Sequence, residues 1–322
     1  MTSPAYSVEL PSDDRPTALV SSTLAAPPIS VAPELIERLL RDHGAILLRG
    51  FGFDVAGFRA FAERLCVTAV SNESPDRRLI EPGTAIQTVN LGVDPFPLHP
   101  ELSREPWRPD VCLFACFDPP ARGGETTLCD GAAIVRRLPA TIVEAMSGRR
   151  LLYIQEAGPA LLGRWLGSPT PGDALLAAPP PACPYWFRRV GERIVRGFSR
   201  PLLQRSLFGD EPVFGNFLLF ARDYLGRSNI PLLDDGSPVP AAWLDAVRAA
   251  AEPITYAHGW RQGDLLLLDN SRFMHGRRAI LDPRARRIAS YFGYLACAPP
   301  QPDEPPDPVW RRAILDPPPP LG

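Results

Sequence analysis

The chain has 322 residues, 45% of them apolar, with a formal net charge of -2: long enough to bury a substantial core, and too balanced in charge to mark a polyanion-binding protein. All 34 basic residues are arginine, which excludes Schiff-base chemistry, lysine-bound pyridoxal phosphate and the lysine of a Walker phosphate loop, since each needs an ε-amine. No run approaches the roughly 18 apolar residues of a membrane span, residues 1 to 25 lack the order of a signal peptide, and no arginine stripe is interleaved with aromatics, so a cytoplasmic protein with neither membrane nor nucleic-acid partners is expected.

In chain order, residues 1–25 are expected to form a loosely ordered or surface-wrapping tail. "VAPELIERLLRDHG" then predicts a helix: Pro33 suits its first position, Leu35, Ile36, Leu39 and Leu40 share a face, and Gly44 stops it. "AILLRGF" reads as a buried strand, and "DVAGFRAFAERL" as a second helix capped by Asp54 with Phe58, Phe61 and Leu65 on its inner side. From residue 84 the pattern changes to short runs bounded by turn residues: "TAIQTVNLG", "DVCLFACF", "ETTLCD", "IVRGF", "DLLLLDN", "RFMHG" and "RRIASYFGYL". Such spacing predicts a β-rich α+β fold, an all-β barrel or double-sheet sandwich with helices packed outside. "GAAIVRRLPATIVEAM" and "PAAWLDAVRAAAEPI" are helical and place a helical insert within about 132–255 of a single domain spanning 26–297. Many of the 40 prolines gather near the two ends and at 175–184, so 298–322 is expected to be a second tail. The six cysteines include no CxxC pair and suit buried, reduced thiols; zinc held by Cys112 and Cys116 is the sharper alternative, without a second pair at matching spacing.

Chemistry concentrates at "LHPELS". In an extended segment His99 and Glu101 project from the same face, with Pro100 off it, which is the shape of a two-ligand metal clamp. His275, placed after a strand, a turn and a second strand, offers the third ligand. Two histidines and one carboxylate form the facial triad that suits non-haem Fe(II) and leaves adjacent positions open for a chelating co-substrate and O2. On the next strand Arg287 is the arginine chosen to fork onto the distal carboxylate of a dicarboxylic co-substrate, with Arg286 on the opposite face as the alternative. His43 is read as a helix-end residue and His258 as a strand start; Asp264, Asp269 and Asn270 are either turn formers or groups that orient His275. Asn90 and Tyr291 have a positional argument for touching substrate; Phe96, Leu98, Trp107, Phe187, Asn216 and Phe217 are further pocket candidates.

"HGAILLRGF", "FRAFAERL", "LHPELS", "PPARGGETTLCDG", "WRQGDLLLLDNSRFMHGRR" and the closing "RRI" occur in that order, and through them the chain resembles the TauD/TfdA family of Fe(II)- and 2-oxoglutarate-dependent oxygenases, in the style of its clavaminate synthase-like members. The resemblance implies a double-stranded β-helix (a jelly-roll, cupin-like core), iron held by His99, Glu101 and His275, and 2-oxoglutarate contacted by Thr126 and Arg287. Many relatives carry HNE or HTD where this chain has HPE. Related halogenases lack the carboxylate, so Glu101 favours hydroxylation, desaturation or ring closure. The expected substrate is a small molecule, an amino acid, peptide or related specialised metabolite, free or tethered to a carrier protein. The rival is a non-redox metal protein or zinc hydrolase on the same fold.

Overall fold

Four consecutive leucines at 265–268 show how this sequence builds two layers. In the strand Leu265–Asp269 they alternate: Leu265 and Leu267 pack with the helices Pro33–His43 and Val55–Leu65, while Leu266 and Leu268 face the other way into the larger apolar core. A strand covered on both sides has no need of polar alternation. The computed structural model describes residues 6–284 and 286–318. The main sheet runs Tyr6–Glu9, Ala18–Ser22, Ala45–Arg49, Leu265–Asp269, Val111–Asp118, Arg287–Leu295, Cys66–Ala69, and Gln87–Thr88 joins it beside Arg287–Leu295. Its pairs are antiparallel except Ala18–Ser22 with Ala45–Arg49. The smaller sheet runs Tyr256–His258, Thr126–Asp130, Phe273–Arg277, Phe96–His99, all antiparallel. The two sheets make the expected jelly-roll architecture, a double sheet whose barrel is not closed.

The opening helices end where their sequence signals stand. Pro33 occupies the first turn of Pro33–His43, Gly44 ends it with φ +74°, and the Asp54 carboxylate accepts from the Gly57 N–H at 2.8 Å. Their buried residues Ile36, Leu39, Leu40, Phe58 and Phe61 cover the outer face of the main sheet.

The insert is not purely helical. Between its helices it builds a four-stranded sheet, Trp186–Val190, Arg193–Pro201, Arg150–Glu156, Leu232–Leu233. On the buried face of Arg193–Pro201, Ile194 and Phe198 fill the core and take turns with Arg196 and Arg200, which are buried through their hydrogen bonds. The expected tails also differ. Ala18 and Val20 are fully buried inside the sheet, and the C-terminal segment returns to the core through Trp310, which packs edge-on with Trp107 and Trp165, and through Leu315, whose N–H donates to the Ala69 carbonyl at 3.0 Å. Short apolar runs inside proline-rich flanks were enough to dock both ends; 1–5 and 319–322 lie outside the described residues. All six cysteines are free, as the spacing suggested, and no helix among the described residues is long and apolar enough to cross a membrane.

Trp310 sits with no exposed surface in the Trp107–Trp165–Tyr185 cluster. Trp310→Ala is therefore expected to lower unfolding free energy by about 3–5 kcal/mol, measured by urea denaturation; a loss below about 1 kcal/mol is what a loose tail would give.

Candidate active site

Two neighbouring strands of the smaller sheet bring the histidines together. His99 ends Phe96–His99 and is the register partner of His275 in Phe273–Arg277, with ring centroids 4.7 Å apart. This close approach needs Gly276: a Cβ there would lie 2.6 Å from the Phe96 carbonyl oxygen and 2.7 Å from Thr127 Oγ1. Glu101 lies in the turn just past His99, with Oε2 3.6 Å from His275 Nε2. One donor atom from each of His99, Glu101 and His275 lies within 4.8 Å of the others.

The chemistry of this donor set fits one divalent ion. His99 Nδ1 sits 2.8 Å from the Pro97 carbonyl, leaving Nε2 for a metal. Burial lowers the His99 imidazole to about 4, and the adjacent His275 ring pushes the same way, so His99 is neutral at pH 7, the form that ligates. Burial alone would raise the Glu101 carboxyl, but the Arg77 guanidinium and then His275 hold it well below the usual carboxylate range. Arg77 Nη2 donates to Glu101 Oε2 at 3.1 Å, and Asn72 Nδ2 donates to Oε1. Buried His275 Nδ1 has no hydrogen-bond partner.

Asn270 supports Glu101 rather than His275. Its Oδ1 accepts from the Glu101 N–H at 2.7 Å, and its Nδ2 donates to the Glu101 and Pro109 carbonyls at 3.0 Å. Asp269 makes the turn, accepting from Ser271 N–H and Oγ. Asp264 serves elsewhere, clamped by Arg49 at 2.8 and 2.7 Å with His258 beside it. Behind the Glu101 turn, Glu105 is buried with Arg196, whose two terminal nitrogens donate to its oxygens at 2.7 and 3.0 Å, while Arg200 donates to the Glu105 carbonyl. The insert sheet thus ties down the segment that carries Glu101.

The triad opens onto a cavity of about 270 Å³. Of the residues singled out from sequence, Thr126, Asn90, Phe96, Phe217 and Arg286 line it. Thr126 Oγ1 accepts from Trp260 Nε1 at 3.0 Å, and Asn90 Oδ1 accepts from Arg77 Nε at 2.8 Å. Arg287 is not brought to the cavity: its side chain is 67% exposed, 3.4 Å from Asp118 and over the Phe117 ring. Tyr291 also lies elsewhere, buried among the helix-facing residues of the main sheet, and Trp107, Phe187 and Asn216 are buried away from the cavity. Along Arg287–Leu295, Ile288 and Phe292 belong to the inner core and Ala289 and Tyr291 to the outer one; Arg287 shares the phase of Tyr291, and Arg286 that of Ile288. Among the described residues Arg286 Nε is buried without a partner, and the side chain's one hydrogen bond is Nη1 to the Asn90 carbonyl at 3.5 Å. Burial, then the neighbouring Arg277 charge, lowers this guanidinium to about 10, so it stays charged and lacks an anion. Sequence reasoning missed Arg77 and Asn72, whose segment "SNESPDRR" reads as a polar loop, and Trp260.

The family model of the taurine catabolism dioxygenase TauD, TfdA family matches residues 23–290. The chain is 26% identical over 319 residues to a clavaminate synthase-like protein of Arabidopsis thaliana, covering 87% of this chain and 91% of that one. It is 22% identical over 289 residues to the dapdiamide synthesis protein DdaC of Enterobacter agglomerans, covering 79% and 84%. Among solved structures, PvcB of Pseudomonas aeruginosa, an Fe, alpha-ketoglutarate dependent oxygenase from an isonitrile synthetic pathway, shares the fold with a TM-score of 0.59 at 16% identity, over 92% of this chain and 94% of that one. A match across so much of the chain, on a double sheet of this kind, makes it a member of the TauD/TfdA family of Fe(II)- and 2-oxoglutarate-dependent dioxygenases.

Proposed function

We propose that this dioxygenase hydroxylates, desaturates or cyclises at an unactivated C–H of a small metabolite of amino-acid or peptide type. The observation that carries the reading is the juxtaposition, in one cavity, of the His99–Glu101–His275 cluster and the buried, unpaired guanidinium of Arg286. His99, Glu101 and His275 would hold the ferrous ion, and Arg286 would fork onto the distal carboxylate of 2-oxoglutarate, with Thr126 beside it. The bound ion with 2-oxoglutarate and O2 supplies the oxidant for C–H cleavage, with succinate and CO2 as co-products. The chain's own part is positioning. Arg77 and Asn72 orient the Glu101 carboxylate, and Asn270 pins its backbone. Phe96, Phe217 and Phe220 wall the cavity and keep water away from the reacting centre. A zinc hydrolase would have no use for an anion-seeking arginine here. The names of DdaC and PvcB, each tied to the assembly of a small product, support a small substrate.

Anaerobic addition of Fe(II) and then 2-oxoglutarate is expected to produce a weak visible charge-transfer band, and aerobic turnover of labelled 2-oxoglutarate to give succinate; Glu101→Ala and His275→Ala are expected to lose both. Arg286→Gln should raise the KM for 2-oxoglutarate by about 10- to 100-fold, the effect of removing one partner of a desolvated charge pair. Arg287→Gln should change it less than about twofold, since that side chain faces solvent. Steady-state succinate assays over a range of 2-oxoglutarate concentrations check both, and the opposite ranking would reassign the anchor.

A further inference from the structure

We propose that the substrate is an apolar or aromatic carboxylic acid, its carboxylate docked on Arg104 and its body lying against Phe217, Phe220 and Tyr224. This rests on the dioxygenase reading and names the substrate class for the same cavity.

Four arginines line that cavity: Arg77, Arg104, Arg277 and Arg286. Three are engaged or assigned. Arg77 donates to Glu101, Asn90 and Ser290. Arg277 is filled by backbone carbonyls, those of Asn90, Gly92 and Asp94, which it reaches at 2.7 to 3.3 Å. Arg286 stands ready for the co-substrate. Arg104 has one partner, the buried Glu73 carboxylate, which accepts from Nη2 at 3.0 Å; Nε and Nη1 donate to no described residue. Its guanidinium lies 5.7 Å from the Phe217 ring centroid, so salt bridge and aromatic face together orient a fork whose remaining donors are free for a planar oxyanion.

Charge points the same way. Against the four arginines the cavity lining carries two carboxylates, Asp76 and Glu101, while burial and then the Glu105 charge raise the Glu73 carboxyl behind Arg104 well above the usual carboxylate range. Asp76 forms no ion pair with a described residue. At least one positive charge remains, and a ferrous ion with the 2-oxoglutarate dianion adds none, because the two cancel. A neutral or cationic substrate would leave that charge uncompensated in a partly desolvated site, whereas one carboxylate balances it.

The wall that Arg104 adjoins is apolar. Phe217, Phe220 and Tyr224 come from the short helical segment around Leu218–Asp223, with Phe220 5.3 Å from Phe217 and 4.9 Å from Tyr224 by ring centroid. Phe220 also lies 4.7 Å from His99, so a body held on these rings abuts the metal cluster directly. Arg104, three residues beyond Glu101 and against the Phe217 ring, fixes one end. A substrate held between the two would present its central carbons to the iron.

The test gives the holoenzyme, with Fe(II) and 2-oxoglutarate, three acids (3-phenylpropionate, L-phenylalanine and L-leucine) and the carboxamide of each, and follows succinate. At least one acid is expected to stimulate turnover about 10-fold or more over its own amide, the ratio that about 1.4 kcal/mol of charge-assisted binding produces. Arg104→Gln, combined with Glu73→Gln so that no buried carboxylate is orphaned, is expected to erase that preference through KM. Amides as effective as their acids, no stimulation by any acid, or a preference that survives in the double variant overturns the inference, and the wild-type comparison decides even if the double variant fails to fold. The anaerobic charge-transfer band separates the two levels: where it forms without acid preference, only the Arg104 assignment fails; where neither band nor succinate appears, the dioxygenase reading fails with it.

Discussion

The register between Phe96–His99 and Phe273–Arg277 is the constraint on which the site depends. Side chains on a strand alternate between faces, so slipping either strand by one residue would turn His99 or His275 out of the cavity and leave no metal cluster. The pairing is held from both sides: Thr126–Asp130 brackets Phe273–Arg277 along its whole length, and Gly276 lets the strands approach where any side chain would collide with the Phe96 carbonyl. Glu101 cannot be placed by this ladder, because it lies beyond the strand end. Asn270 does the work instead, tying the Glu101 backbone to the turn that leads into the strand of His275.

Electrostatics then sorts the buried cations into two kinds. Arg49 with Asp264, Arg196 with Glu105 and Arg311 with Asp110 and Glu304 are matched pairs whose desolvation is offset by close, multiple hydrogen bonds. Arg286 differs: its Nε is buried without an acceptor, as is that of Arg196, but no carboxylate of a described residue pairs with it. A buried charge without a partner is costly to the fold, and such cost persists where a ligand supplies the missing group.

The sequence made the metal cluster legible because its signal is local and chemical: an HxE triplet at a strand end and a histidine after the "GDLLLLDN" strand and turn. The helices announced themselves through Pro33, Gly44 and Asp54. The arginine was harder for a definite reason. In "RRIASYFGYL" both faces of the strand are apolar, since Ile288 and Phe292 face the inner core while Ala289 and Tyr291 face the helices. Hydrophobic alternation therefore carries no phase information, and choosing Arg287 and Tyr291 together selected the outer face for both. Terminal strands hid for a similar reason: "TALVSS" and the Trp310 turn are short apolar runs inside proline-rich flanks, and only the partners they meet, Ala45–Arg49 and Trp107, make them part of the core.

Division of labour follows from where each wall of the cavity originates. The jelly-roll sheets and the loops at their strand ends contribute the His99–Glu101–His275 cluster, Thr126 and, just before the last strand, Arg286. The insert contributes Phe217, Phe220 and Tyr224 from one side and, through Arg196 and Arg200, braces from behind the segment 101–106 that carries both Glu101 and Arg104. Because Glu101 and Arg104 share one short turn, a change in how the insert sheet grips Glu105 would move the Glu101 carboxylate and the Arg104 guanidinium together. The aromatic wall can therefore vary far more readily than the arginine side, where any shift is also felt at Glu101.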